Sequence, residues 1–144
     1  MLGNLDPTQI EEVLHGEALG RIGCHAGGRT YVVPVTYAYD GERVICHSGR
    51  GDMLRMMHTN ATVCFEVEHV QSLADWKCVV ADGRFEELEG DDAEEAARFL
   101  EDRLQPLIAS ATAAPYSVVG HGLHPDSVIF SIVLGRKTGR YEHP

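Results

Sequence analysis

Short runs in which apolar and polar side chains alternate, separated by glycine-bearing turns, most tightly constrain what this chain can fold into. A period of two puts successive side chains on opposite faces, so each run reads as a strand with one buried face. Such runs cover 19–25, 30–39, 43–47, 62–67 and 76–88, and a last one covers 127–134 and runs on into Lys137, Thr138, Gly139 and Arg140. In the second, Tyr31, Val33, Val35, Tyr37 and Tyr39 share a face. Gly27-Gly28 and Asp40-Gly41 are hairpin signals, Asp82-Gly83 is a bulge or turn inside a long strand, and 71–75 is a polar connection. Hairpin-connected strands lie antiparallel. Curling them into a closed barrel hides the edges that would otherwise seed aggregation.

Three helical stretches flank the strands. Asp6, Pro7 and Gln9 form a capping box with proline at the first position, followed by the stripe Ile10, Val13, Leu14 and a stop at Gly16. Asp52 is the expected cap of a short helix through Met53, Leu54, Met56 and Met57. Asp91 or Asp92 starts another, with Ala93, Ala97, Leu100 and Leu104 on one face and Pro106 as its expected end. The stretch 108–125 carries no readable period. The 144 residues suit one domain, 1–144, large enough to need no staple.

A net charge of −10 argues against a nucleic-acid surface and against anionic lipid. No apolar run approaches the roughly 18 residues of a membrane span and no signal pattern is present, so a cytoplasmic location is expected. Cys24, Cys46, Cys64 and Cys78 form no CxxC pair and read as small buried hydrophobes. Cys24-His25 and Cys46-His47 are strand neighbours and point apart. His121 and His124 could meet on a turn, but no metal site is expected. The acidic run from Glu86 to Glu95 reads as a solvated face and helix start. No Ser-His-Asp order, phosphate-binding glycine motif or HExxH motif supports hydrolysis.

Two features invite chemistry. Pro34 interrupts an otherwise regular strand, and because proline has no N–H to give a ladder, the strand is locally an edge or faces a ligand. His47-Ser48-Gly49-Arg50-Gly51 opens a helix, where unpaired N–H groups and permissive glycines can receive an anion.

Arg29 to Tyr37 with its central Pro34, then Tyr39-Asp40-Gly41, His47-Ser48, Asn60, Val63 to Val67, Trp76 to Glu86 and Thr138-Gly139-Arg140 together resemble the pyridoxamine phosphate oxidase-like family. Within it the chain looks closest to the nitroimidazole-resistance-like branch. The resemblance implies a mainly β fold, a six-stranded antiparallel split β-barrel with peripheral helices over about 19–140, and a homodimer. It further implies one flavin mononucleotide (FMN) in each of two grooves at the subunit interface. Val33, Pro34, Val35 and Thr36 would meet the flavin ring, partly through backbone groups. His47, Ser48, Arg50, Gly51 and Met53 would lie by the ribityl chain and phosphate, and Trp76, Lys77 and Cys78 would reach the cofactor from the other subunit. The family usually carries basic residues at this helix start, ending in lysine at the position of Met53. Here Gly51-Asp52-Met53 stands instead, leaving Arg29, Arg50 or Arg55 to supply the charge. The implied activity is an FMN-dependent oxidoreductase acting on a small organic substrate, with nitro reduction suggested by the branch. The alternative is a non-catalytic flavin, deazaflavin or haem binding protein on the same fold.

Overall fold

Helix α1 (Pro7–Gly16) begins as its sequence dictates: the Asp6 carboxylate accepts from the Gln9 N–H at 2.8 Å, and the Gln9 side-chain oxygen accepts from the Asp6 N–H at 2.9 Å. Both orphan donors at the helix start are thereby satisfied. The computed structural model describes residues 1–111 and 127–144; the stretch 112–125 and the His121/His124 pair lie outside the described residues.

The strands are β1 (Leu2–Asn4), β2 (Leu19–Ala26), β3 (Arg29–Thr36), β4 (Ala38–Tyr39), β5 (Arg43–Ser48), β6 (Thr62–Ser72), β7 (Asp75–Glu87) and β8 (Val128–Glu142). Helix α2 (Asp52–Thr59) follows β5, and α3 (Gly90–Ala111) follows β7. All strands join one antiparallel sheet in the order β3-β2-β6-β7-β8-β5-β4, with β1 added alongside β8. The expected six strands are the long ones; β1 and β4 are short additions.

The ladder does not close. Its two ends, β3 and β4, are consecutive in the chain, separated only by Tyr37. The sheet therefore curls until a single residue spans its two edges at one end, while the edges stay unpaired with each other elsewhere. Tyr37 also explains why the expected strand 30–39 is two strands. Its N–H donates to the Ala18 carbonyl at 2.9 Å, and its buried hydroxyl donates to the Leu14 carbonyl at 2.8 Å. Pinned in this way, the chain leaves β2 and crosses to β5.

Other boundaries move for equally local reasons. β6 extends to Ser72, and only Leu73-Ala74 turn, where a polar connection 71–75 is expected; beyond Val67 the strand is exposed, so no buried alternation marks it. β8 runs unbroken past Arg140 to Glu142, with Gly139 buried and Tyr141 half-buried. α3 passes through Pro106 instead of ending there: Leu100, Leu104 and Ile108 anchor it on both sides, and the exposed Asp102 backbone can be solvated where the bond is lost. The Asp82-Gly83 feature is a bulge, seen as a register shift between Ala81 and Gly83. Gly83 is required there, since a Cβ would lie 2.3 Å from Ile132 Cγ2. The Asp40-Gly41 turn joins β4 to β5, with Gly41 at φ +101° and the Asp40 carboxylate accepting from the N–H groups of Glu42 and Arg43.

The main core lies inside the curled sheet, where Ile22, Tyr37, Phe65, Val67, Val79, Phe130 and Ile132 meet α1 and α2. A second cluster lies outside, where Leu100 and Leu104 of α3 cover Ala38, Ile45 and Ile129. No helix covers the outer face over β3, β2, β6 and β7 among the described residues.

A polar network ties α1 to the sheet. The Tyr39 hydroxyl donates to Glu11 Oε1 at 2.7 Å, and Lys137 Nζ donates to Glu11 Oε2 at 3.0 Å. Burial alone would raise Glu11, but the bonds from Tyr39 and Lys137 hold its carboxyl below the ordinary range. Burial would lower Lys137, and the same partners hold it above the ordinary range. The pair's contribution is therefore present near neutrality. It is lost as pH falls through the lowered Glu11 pKa, and lost again as pH rises through the raised Lys137 pKa. Glu11→Gln is expected to lower stability at about pH 7 by roughly 1 kcal/mol, with the difference from the native chain vanishing in acid once Glu11 is protonated. Urea unfolding at neutral and at acid pH checks this; an equal loss at both would contradict it.

Candidate functional site

The residues expected around a cofactor fall into two groups on this chain. The first surrounds the start of α2. Gly51, not the expected Asp52, is the N-cap residue and gives no side-chain cap, because Asp52 lies inside the helix with its carboxylate on arginines; the first helical N–H groups receive nothing from Gly51. A Cβ on Gly49 or Gly51 would meet no atom within 4 Å. Ser48 turns its hydroxyl to the Gly49 carbonyl at 2.8 Å. Arg50 reaches Glu87 at 3.5 Å, and Glu87 also takes His58 at 2.8 Å. Arg29, from the β2–β3 hairpin, lies 3.5 Å from Asp52, and Arg55 pairs with the same carboxylate. Three guanidinium groups thus ring the helix start, two on Asp52 and one on Glu87. A phosphate fits this donor set if the arginines exchange partners.

Met53 is not part of that ring. It is buried in the main core, so a lysine there would not present its ammonium at the helix mouth without leaving the core. His47 shares the face of Ile45, which packs under α3, and is half-buried; burial lowers its pKa, so the ring is neutral at pH 7.

The edge strand β3 behaves as Pro34 requires. It pairs with β2 alone, with Pro34 opposite Arg21, so one side of its backbone is free of the sheet. Val33 and Val35 turn inward, whereas Pro34 and Thr36 are exposed.

The second group sits at the start of β7. Trp76 and Cys78 line a crevice of about 390 Å³ with Leu2, Val80, Thr138 and Arg140. Lys77 projects from the other face into a separate crevice of about 320 Å³ beside Asp75, Tyr141 and His143. The strand's own alternation divides these three consecutive residues, so one ligand cannot meet all three side chains on this chain. β7 is 13 residues long, which puts roughly 35 Å of strand between Trp76 and Glu87. The two groups therefore lie at opposite ends of the sheet.

Two arrangements have little sequence signal. Glu87, expected within a solvated acidic face, is mostly buried and ion-paired. On the uncovered outer face, Glu66, Glu68 and Cys78 bring ligand-type atoms within 4.8 Å of one another. Arg21 stands 3.4 Å from both carboxylates and already supplies the cation. Burial, helped by the adjacent carboxylates, pushes the Cys78 thiol up to about 12, and it donates to Glu66 at 3.1 Å, so it is no thiolate at neutral pH. Cys24 and Cys46 are buried as expected, but Cys64 is exposed and Cys78 half-buried, because both fall on outward positions of β6 and β7. Among the described residues no helix is long and apolar enough to cross a membrane.

The sequence profile described as pyridoxamine 5′-phosphate oxidase matches residues 6–116. The chain belongs to that family. An uncharacterized protein of Rhizobium meliloti is 37% identical over 80 residues, 56% of this chain and 53% of its own length, so the chain spans about half of this curated relative. A crystal structure of an FAD-binding protein from Mesorhizobium loti superposes with a TM-score of 0.79 at 26% identity, covering 100% of this chain and 98% of that one. A candidate 5-nitroimidazole antibiotic resistance protein from Bacteroides thetaiotaomicron gives a TM-score of 0.71 at 17% identity over 98% and 87% of the two chains, a likeness of fold alone. The family match takes in β2 to β7 with α1 and α2, and hence both groups of candidate site residues in this oxidase-family chain.

Proposed function

We propose that this chain is a flavin-dependent oxidoreductase that binds FMN in grooves completed by a second copy of itself and acts on a small organic substrate. The observation that carries the reading is the separation of the two half-sites. The arginine-ringed start of α2 and the Trp76–Cys78 crevice are each incomplete, and they lie at opposite ends of one sheet whose outer face over β3, β2, β6 and β7 carries no helix among the described residues. In a two-fold pair, one copy's helix start can face the other copy's β7. The free backbone edge beside Pro34 then offers hydrogen-bonding groups to a ring system without needing side chains.

In this reading Arg29, Arg50 and Arg55 hold the phosphate, and β3 and Trp76 border the ring. Bound flavin supplies hydride and electron transfer; the chain contributes orientation, shape and exclusion of water. The Mesorhizobium protein's FAD supports a flavin of some kind, and the smaller FMN suits a site whose cationic groups gather at a single point. Nitroaromatic compounds are the first substrates to assay, given the resemblance of fold and motif.

The test is a titration of the purified chain with FMN, FAD and riboflavin, followed by flavin fluorescence quenching and light scattering. We expect a yellow dimer with one FMN per chain that bleaches with a nicotinamide reductant and is reoxidised by a nitro compound. A colourless monomer that takes up no flavin sinks the proposal. FMN uptake without reduction makes the chain a carrier instead of an enzyme.

A further inference from the structure

We infer that Asp52 is a built-in occupant of the phosphate position, holding Arg29 and Arg55 at the helix mouth until a phosphate monoester takes both from it. The inference rests on the flavin reading above and adds how that site is kept when empty of ligand.

Arg29 comes from the β2–β3 hairpin, where it lies over the Tyr31 ring at 4.6 Å, and Arg55 comes from α2 itself. Side chains from two separate elements therefore converge on one carboxylate. Asp52 does not cap its helix; the N-cap is Gly51, and the carboxylate spends its lone pairs on the two arginines. The hydrogen bond and charge of Arg55, then the bond from Arg29, hold Asp52 below the ordinary range, so it is ionised at neutral pH.

All three side chains are at least half exposed. Exposed ion pairs are weak and easily exchanged. A phosphate monoester brings close to two negative charges and three acceptor oxygens, and guanidinium groups match it in a bidentate fashion. It therefore outcompetes the carboxylate, which turns to water. Binding exchanges one anion for another at the arginines. Native affinity for FMN is consequently lower, and less dependent on salt, than that of a site with free arginines.

The experiment compares FMN with riboflavin, which lacks the phosphate, on the native chain, Asp52→Asn and Arg29→Gln at low and high salt. Asp52→Asn is expected to tighten FMN tenfold or more at low salt, with the gain shrinking as salt rises and riboflavin unaffected. Arg29→Gln is expected to weaken FMN severalfold, again without effect on riboflavin. An unchanged or lowered FMN-to-riboflavin ratio in Asp52→Asn overturns the inference while leaving flavin binding intact. Failure of the native chain and both variants to bind either flavin overturns the inference and the flavin reading together.

Discussion

Val32→Glu combined with Val80→Glu is expected to yield a folded monomer whose affinity for FMN has fallen at least a hundredfold. Val32 on β3 is 62% exposed and Val80 on β7 is 40% exposed, both on the outer face that no described helix covers. Val32 lies over Gly23, so an apolar side chain already meets the bare backbone of the neighbouring strand. Val32→Glu is expected to change monomer stability by about 0.5 kcal/mol or less, whereas Val80→Glu faces Glu66 across the β6–β7 ladder and is expected to cost up to about 1 kcal/mol, which still leaves a folded chain. In a dimer of ordinary size, burying roughly 1,600 Å² in all, the same two substitutions strand four carboxylates in an apolar contact. Desolvating an unpaired charge costs several kcal/mol each, enough to dissociate the pair. Each half-site is then left without its complement. Light scattering and flavin titration on the same sample check the result; a variant that remains a flavin-loaded dimer would show that copies pair elsewhere, and a monomer that still binds FMN tightly would show that one copy suffices.

Phe65→Ala is expected to remove about 3–5 kcal/mol of stability, a large part of the roughly 5–15 kcal/mol available to a domain of this size. Phe65 is fully buried and meets the Tyr37 ring edge to face at 5.0 Å. Tyr37 is the residue that joins the two edges of the sheet and holds the end of α1 through its hydroxyl. The cavity thus opens beside the one-residue span, and the damage should spread along β3, the strand proposed to border the flavin. The check is chemical unfolding with tryptophan fluorescence, since the single Trp76 lies far along the sheet. A loss below about 1 kcal/mol would mean that the site collapses to fill the space.

The elements legible in the chain were those with a half-buried face or a defined cap. The capping box at Asp6, the Asp40-Gly41 turn, the bulge at Gly83 and the buried faces of β2, β3 and β5 all follow from local rules. The outer half of β6 was not legible, because a strand exposed on both faces carries no alternation. β1 is too short for a period. Pro106 misleads because its local penalty is outweighed by the packing of Leu100 and Leu104 against the sheet. At the site, the glycines and arginines around α2 could be picked out singly, but not their ion pairs. Arg29 and Asp52 are far apart in sequence and meet only because a hairpin folds back over the helix start.

By itself the sequence determined that the chain forms antiparallel strands in hairpins, that the strand of Pro34 is locally an edge or faces a ligand, and that a glycine-bearing turn leads from β5 into a short helix. These depend on backbone geometry and on neighbours a few residues away. Only the tertiary structure decided that the two sheet edges meet through Tyr37, that Met53 faces the core, and that Asp52 holds two arginines. It also decided that the Trp76 crevice lies at the far end from the helix start. Such facts depend on how the sheet curls, which is set by close packing of side chains distant in sequence, and no local pattern encodes that.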